Sequence, residues 1–159
     1  MNYDIYIRPL RIEDAAISYL WRNDSEVWKF TGSRPDRLIT LEIEKEWIEN
    51  VINRNNERRY AICLVANDKY IGNVQLTKIS EGAAEFHLFI GDKDYWNKGI
   101  GKEATKKMIE IGFNELNLEE IYLEVDIRNA PAVKAYERVG FFPFEQQMGK
   151  IFMKIINNG

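Results

Sequence analysis

Tyr95-Trp96-Asn97-Lys98-Gly99-Ile100-Gly101-Lys102-Glu103-Ala104 joins a strand-like run, Glu85-Phe86-His87-Leu88-Phe89-Ile90, to a long helical pattern. Two glycines one residue apart at a helix entrance allow a tight turn and aim several backbone N–H groups at one place. The helix dipole adds positive potential there, and Lys98 and Lys102 add charge at the rim. Such a strand–loop–helix junction is built to bind an anion, most often phosphate. Taken alone, a Gly-x-Gly is equally compatible with an ordinary tight turn.

Working outward, the rest of the chain reads as alternating strands and helices. Ile5, Ile7 and Pro9 mark a first strand, and Ile12, Ala15, Ala16, Tyr19 and Leu20 mark a helix to Arg22. Residues 23–39 carry no sustained period and predict a long loop rich in aromatics and arginine, a functional signature in compact domains. Thr40 is placed to cap a helix running to about Arg54. Arg59 to Ala66, Tyr70 to Ile79 and Ala84 to Ile90 follow as a strand meander. Helical spacing resumes from Gly99 to Leu116, and Ile121, Leu123 and Val125 alternate as a further strand. Asn129 caps a short helix that Gly140 ends, and Phe141 to Phe144 with Lys150 to Ile156 make a closing hairpin. The expectation is one α+β domain over residues 1–159, with a mixed, mostly antiparallel twisted sheet of about six to seven strands and about four helices.

Composition narrows the function classes. A net charge of −3 argues against a general nucleic-acid binder. The lone cysteine, Cys63, permits no internal disulfide and sits in an apolar run, so it reads as a core residue in a reducing cytoplasm. With one histidine and one cysteine, no metal site is expected. No run of apolar residues is long enough to span a bilayer, and the N-terminus lacks a signal-peptide pattern.

Asn129-Ala130-Pro131-Ala132-Val133-Lys134-Ala135-Tyr136-Glu137-Arg138-Val139-Gly140-Phe141, together with the glycine loop and the order of elements, resembles the GNAT family of N-acetyltransferases. The family's second signature has Asn, a small residue, Tyr and Gly-Phe at these positions. Its first signature usually carries Gln or Arg where this chain has Trp96. The branch that acetylates ribosomal-protein N-termini commonly reads Tyr-Trp-Gly-Lys-Gly there, with Asn97 here in place of a glycine.

The resemblance implies transfer of an acetyl group from acetyl-CoA to an amine, with no metal. It implies a fourth strand splayed from the fifth, and a pyrophosphate cradled by Asn97, Lys98, Gly99, Ile100, Gly101 and Lys102. Pantetheine would lie along Leu88, Phe89 and Ile90, and Asn129 and Ala132 would contact the cofactor. Tyr136 would be the acid that protonates the leaving sulfur, although its spacing also suits core packing.

A proton must leave the amine, and Glu85 and His87 lie two apart on one sheet face where either could reach the slot. Glu85 is the candidate catalytic base, with a solvent-exposed or paired acid as its alternative, whereas His87 reads as a satisfied polar residue rather than as the base. Trp28 and Phe30, in the loop that covers the acceptor site in relatives, are candidate acceptor contacts together with Glu85 and His87, whereas Trp21 reads as core. Glu42, Glu44, Glu46 and Glu49 read as a solvated helix face. The acceptor is expected to be a small amine (a polyamine or an amino sugar) or a protein N-terminus, acted on by a monomer or a homodimer. The alternative is a non-catalytic acyl-CoA-binding regulatory module. A phosphate-loop nucleotidase fits poorly, because no Lys-Ser/Thr pair follows the glycines.

Overall fold

The computed structural model describes residues 3–29 and 35–159. Seven strands form one sheet: β1 (Ile5–Pro9), β2 (Arg58–Leu64), β3 (Tyr70–Ser80), β4 (Ala83–Ile90), β5 (Glu120–Asp126), β6 (Phe142–Gln147) and β7 (Lys150–Ile156). Their order is β1-β2-β3-β4-β5-β7-β6, with every neighbour antiparallel except β4 and β5. Among the described residues there are five α-helices: α1 (Ala15–Arg22), α2 (Ser25–Trp28), α3 (Leu41–Ile52), α4 (Ile100–Glu110) and α5 (Ala130–Val139). The expected mixed sheet is therefore present, with one helix more than the periodicity predicted.

That extra helix corrects the reading of residues 23–39 as a plain loop. Asp24 caps α2 by accepting the Glu26 N–H at 3.0 Å, and Val27 is buried beneath it. Four residues are too few to show a helical period, so only the capping aspartate signalled it. The Thr40 cap is present, its side chain accepting the Ile43 N–H at 3.2 Å. The helix predicted over residues 99–116 is α-helical to Glu110 and closes with a wider π turn, Ile111–Glu115.

Alternation along the strands divides the core between the two sheet faces. Ala84, Phe86, Val74, Leu76, Leu123 and Met153 pack with Ile100, Ala104 and Met108 of α4. On the opposite face Ala61, Cys63 and Tyr70 pack with Trp21 of α1, Val27 of α2 and Ile48 of α3. Cys63 is the buried core residue expected, and burial pushes its thiol pKa up.

Glu44 departs from the expected solvated helix face. It is 1% exposed, accepts the Ser18 hydroxyl at 2.6 Å and pairs with Arg22 at 2.7 Å, which ties α3 to α1. A buried carboxylate needs such partners, and only the fold brings Ser18 and Arg22 to it.

Where β4 ends, the Trp21 indole lies directly on Gly91. A Cβ at that glycine would fall inside the ring, so Gly91→Ala must push Trp21 out of its core. Overpacking of this kind costs about 2 kcal/mol or more, and calorimetric melting should show a Tm lowered by several degrees.

Candidate active site

β4 and β5 pair over three residues each, Ala83↔Glu120, Ala84↔Ile121 and Glu85↔Tyr122. Beyond that point β4 stays with β3 as far as Ile90↔Gly72, and β5 stays with β7 as far as Asp126↔Lys150. The strands diverge, so alternate backbone groups along residues 86–90 face a wedge-shaped gap with no strand partner. The splay implied by the resemblance is present.

The glycine loop stands at the wide end of this gap. Asp92 accepts the Asp94 N–H at 3.1 Å and starts a single 3-10 turn, Lys93–Tyr95. Asn97 and Gly99 then both take left-handed backbone conformations (φ 59° and 78°), which reverses the chain into α4. Among the described residues, no N–H group of residues 97–102 has an acceptor. Among the described residues, apart from Gly99 and its chain neighbours, no atom lies within 4 Å of where a Gly99 side chain would begin. Unpaired donors, open space and the positive end of an eleven-residue helix fit a pyrophosphate.

Trp96, where the usual signature has Gln or Arg, has a visible structural role. Its indole N–H donates to the Ile90 carbonyl at 2.7 Å, fastening the loop to the end of β4. One lone pair of the Ile90 carbonyl is thus taken, so Leu88 and Phe89 carry more of the open backbone. Nothing in the local sequence pattern pointed to this bond. The Phe89 ring lies on the α1 face, edge-on to Trp21 at 5.9 Å.

On the other side of the gap α5 begins. Asn129 caps it, its side chain accepting the Ala132 N–H at 3.4 Å, and Ala132 is half-buried behind it. Tyr136 is also half-buried, edge-on to Phe86 (6.0 Å) and Phe141 (5.7 Å). Among the described residues no hydrogen bond to its hydroxyl accompanies its burial. Burial among apolar neighbours pushes its pKa up to about 12, so it stays protonated and can donate.

The opposite sheet face carries Glu85 and His87 side by side. Glu85 Oε1 lies 2.7 Å from His87 Nε2, and Glu85 Oε2 lies 3.4 Å from Lys78 Nζ. Burial pushes the His87 pKa below 6.5, against the pull of Glu85. Burial also raises the pKa of Tyr122, which sits across the strand pair from Glu85. Trp28 is half-buried at the end of α2. Phe30 and Arg34 lie outside the described residues. Among the described residues no cluster of three or more His, Cys, Asp or Glu side chains could hold a metal. Among the described residues no helix is long and apolar enough to cross a membrane.

The sequence candidates therefore fall into two groups. The loop at 97–102, the strand residues 88–90 and the α5 residues Asn129, Ala132 and Tyr136 border the gap. Glu85 and His87 occupy the sheet face beneath α1 to α3.

Comparison with known proteins agrees with this geometry. The family model described as Acetyltransferase (GNAT) domain matches residues 4–142. The probable N-acetyltransferase YjcK of Bacillus subtilis is 30% identical over 145 residues, covering 86% of this chain and 80% of that protein. The spermidine N(1)-acetyltransferase of Escherichia coli K12 is 27% identical over 154 residues, covering 95% of this chain and 80% of its own. The spermidine N-acetyltransferase of Vibrio cholerae, solved in complex with CoA and spermine, shares the fold at a TM-score of 0.82 and 24% identity. That overlap covers 96% of this chain and 95% of that one.

Proposed function

This chain belongs to the GNAT acetyltransferase family, and from that premise we propose that it acetylates a primary amine of a small polycation, a polyamine being the first candidate. It is an acetyl-CoA-dependent N-acetyltransferase. The observation that carries the proposal is the gap between β4 and β5, with an anion cradle at its mouth and a carboxylate–imidazole pair on the sheet face beneath α1 to α3. Spermidine acetyltransferases among the relatives favour a polyamine, and the Glu85 carboxylate suits a cationic acceptor. A protein N-terminus is the second reading, favoured by the Tyr95-Trp96 pair ahead of the loop. In either case residues 1–159 serve as one catalytic domain.

Acetyl-CoA supplies the thioester that is cleaved. The N–H groups of residues 97–102 hold its pyrophosphate, and the β4 backbone at Leu88 and Phe89 aligns its pantetheine arm. A backbone N–H near Phe89 then donates to the carbonyl oxygen as negative charge grows there, a contribution of about 3–4 kcal/mol in comparable sites. Glu85 and His87 remove the amine proton between them. Tyr136 donates a proton to the departing sulfur. Asn129 fixes the start of α5 and hence the position of Tyr136.

The test is calorimetric titration with acetyl-CoA, followed by CoA-thiol release across polyamines, amino sugars, aminoglycosides and N-terminal peptides. Acetyl-CoA should bind, with fastest release on spermidine or spermine. Release only on N-terminal peptides would establish the second reading. Binding with no release on any amine would favour a regulatory acyl-CoA sensor.

A further inference from the structure

Resting on the acetyltransferase reading above, we propose that Lys78 is a built-in occupant of an ammonium seat on Glu85, displaced when the far ammonium of a triamine acceptor arrives. Strand alternation would put Lys78 on the α4 face with Val74 and Leu76, which both lie in that core. The backbone prevents this. Lys78 is left-handed (φ 52°), and the β3–β4 register shifts between Thr77 and Ser80. A lysine adopts such a backbone at a cost, and a bulge of this kind re-aims a side chain. Lys78 Nζ consequently donates to Glu85 Oε2 at 3.4 Å, on the face beneath α1 to α3.

The seat is shaped for an ammonium and holds this one loosely. Glu85 is a sheltered carboxylate, its side chain 17% exposed, whereas the Lys78 side chain is 70% exposed. An ion pair so open to water contributes little, so an incoming ammonium can take its place. Glu85 Oε1 meanwhile faces His87 Nε2 at 2.7 Å, which leaves Oε2 as the oxygen that Lys78 holds and an acceptor would take. Tyr122, opposite Glu85 in the β4–β5 pairing, borders the same spot, its hydroxyl feeling the charges of both Glu85 and Lys78.

Distance along β4 decides which amine arrives there. The carbonyl under attack is held near the Phe89 N–H, and Glu85 lies about 13 Å back along the strand. An extended chain advances roughly 1.2 Å per bond, so spermidine, with about nine bonds between its terminal nitrogens, spans about 11 Å. With one end at Phe89, its far ammonium falls within reach of the Glu85 side chain. A monoamine leaves Lys78 in place. The exchange swaps one ammonium for another, so the sheltered carboxylate is paired both before and after the acceptor binds.

The test is the ratio of kcat/KM for spermidine to kcat/KM for butylamine, in which any loss shared by both acceptors cancels. Lys78→Gln should raise this ratio about threefold, the gain expected when an exposed ion pair no longer competes. Glu85→Gln should lower it roughly tenfold by removing the seat. In the double variant the gain from Lys78→Gln should vanish, since no carboxylate is left for Lys78 to occupy. An equal gain in the Glu85→Gln background would make Lys78 a general positive charge and overturn the proposal, as would a ratio that Lys78→Gln leaves unchanged or lowers. Lys78→Asn, better suited to a left-handed backbone, serves as a second variant should the first fold poorly. Calorimetric titration of the CoA-saturated protein with spermidine reads the same exchange without turnover, its Kd falling about threefold in Lys78→Gln. CoA release confined to monoamines or N-terminal peptides would overturn the seat and leave the acetyltransferase reading standing. No release on any amine would overturn that reading, and the spermidine titration would still decide the seat: tighter binding by Lys78→Gln supports it, and equal binding or none removes it.

Discussion

Tyr136→Phe should lower kcat by on the order of 100- to 1,000-fold while acetyl-CoA affinity changes by about twofold or less. The substitution keeps the ring, and with it the edge-on contacts to Phe86 and Phe141. It removes only a hydroxyl for which no hydrogen bond is seen among the described residues, so the fold loses little. What it removes from the reaction is the proposed proton donor on α5. With the Tyr136 pKa pushed up to about 12, the donor stays protonated, and its own deprotonation adds no basic limb to the rate profile below that value. A phenol at about 12 is a weaker acid than a thiol near ~8.5, so donation must accompany the breaking of the carbon–sulfur bond, as the sulfur gathers charge. Steady-state thiol release gives kcat and KM, and calorimetry gives acetyl-CoA affinity. An unchanged kcat would return Tyr136 to a packing role beside Phe86.

Much of this was readable from residue order because several signals are local. Thr40 and Asn129 cap the helices that follow them, and Gly140 ends the second. The alternation of β4 puts Glu85 and His87 on one face whatever their neighbours, and the two glycines require a turn at the mouth of α4. What escaped depends on partners distant in sequence. Glu44 looked like its exposed neighbours until Ser18, 26 residues earlier in the chain, and Arg22 were brought against it. Trp96 looked like a departure from a signature until its indole met the Ile90 carbonyl. The short α2 gave no period to read, only Asp24. The Glu85–His87 contact lay in between: spacing put both on one face, but only the folded strand shows Glu85 Oε1 2.7 Å from His87 Nε2 and Oε2 3.4 Å from Lys78 Nζ.

Gly101→Leu should reduce acetyl-CoA affinity by at least about 100-fold, equivalent to about 2.7 kcal/mol, and free CoA should suffer equally because the acyl group is not involved. The two glycines of the loop serve different ends. Gly99 is needed for its conformation: at φ 78° a side chain is strained, although among the described residues none beyond its chain neighbours lies within 4 Å to obstruct it. Gly101 is needed for space. A Cβ there would sit 3.3 Å from Leu88 Cδ2, so any longer side chain must displace Leu88 from the β4 wall or turn outward across the first-turn N–H groups of α4. Either course removes donors or room from the proposed pyrophosphate cradle. A leucine is a better helix former than glycine, which offsets part of the crowding against Leu88, so the ligand-free protein should melt within a few degrees of its parent. Gly99→Ala supplies the contrast. Its cost should fall on stability through the strained turn, with a smaller loss of affinity. Calorimetric titration of both variants with acetyl-CoA and CoA, beside their melting temperatures, separates the two effects. Undiminished binding by Gly101→Leu would place the cofactor phosphates away from the α4 N-terminus and remove the loop from the site.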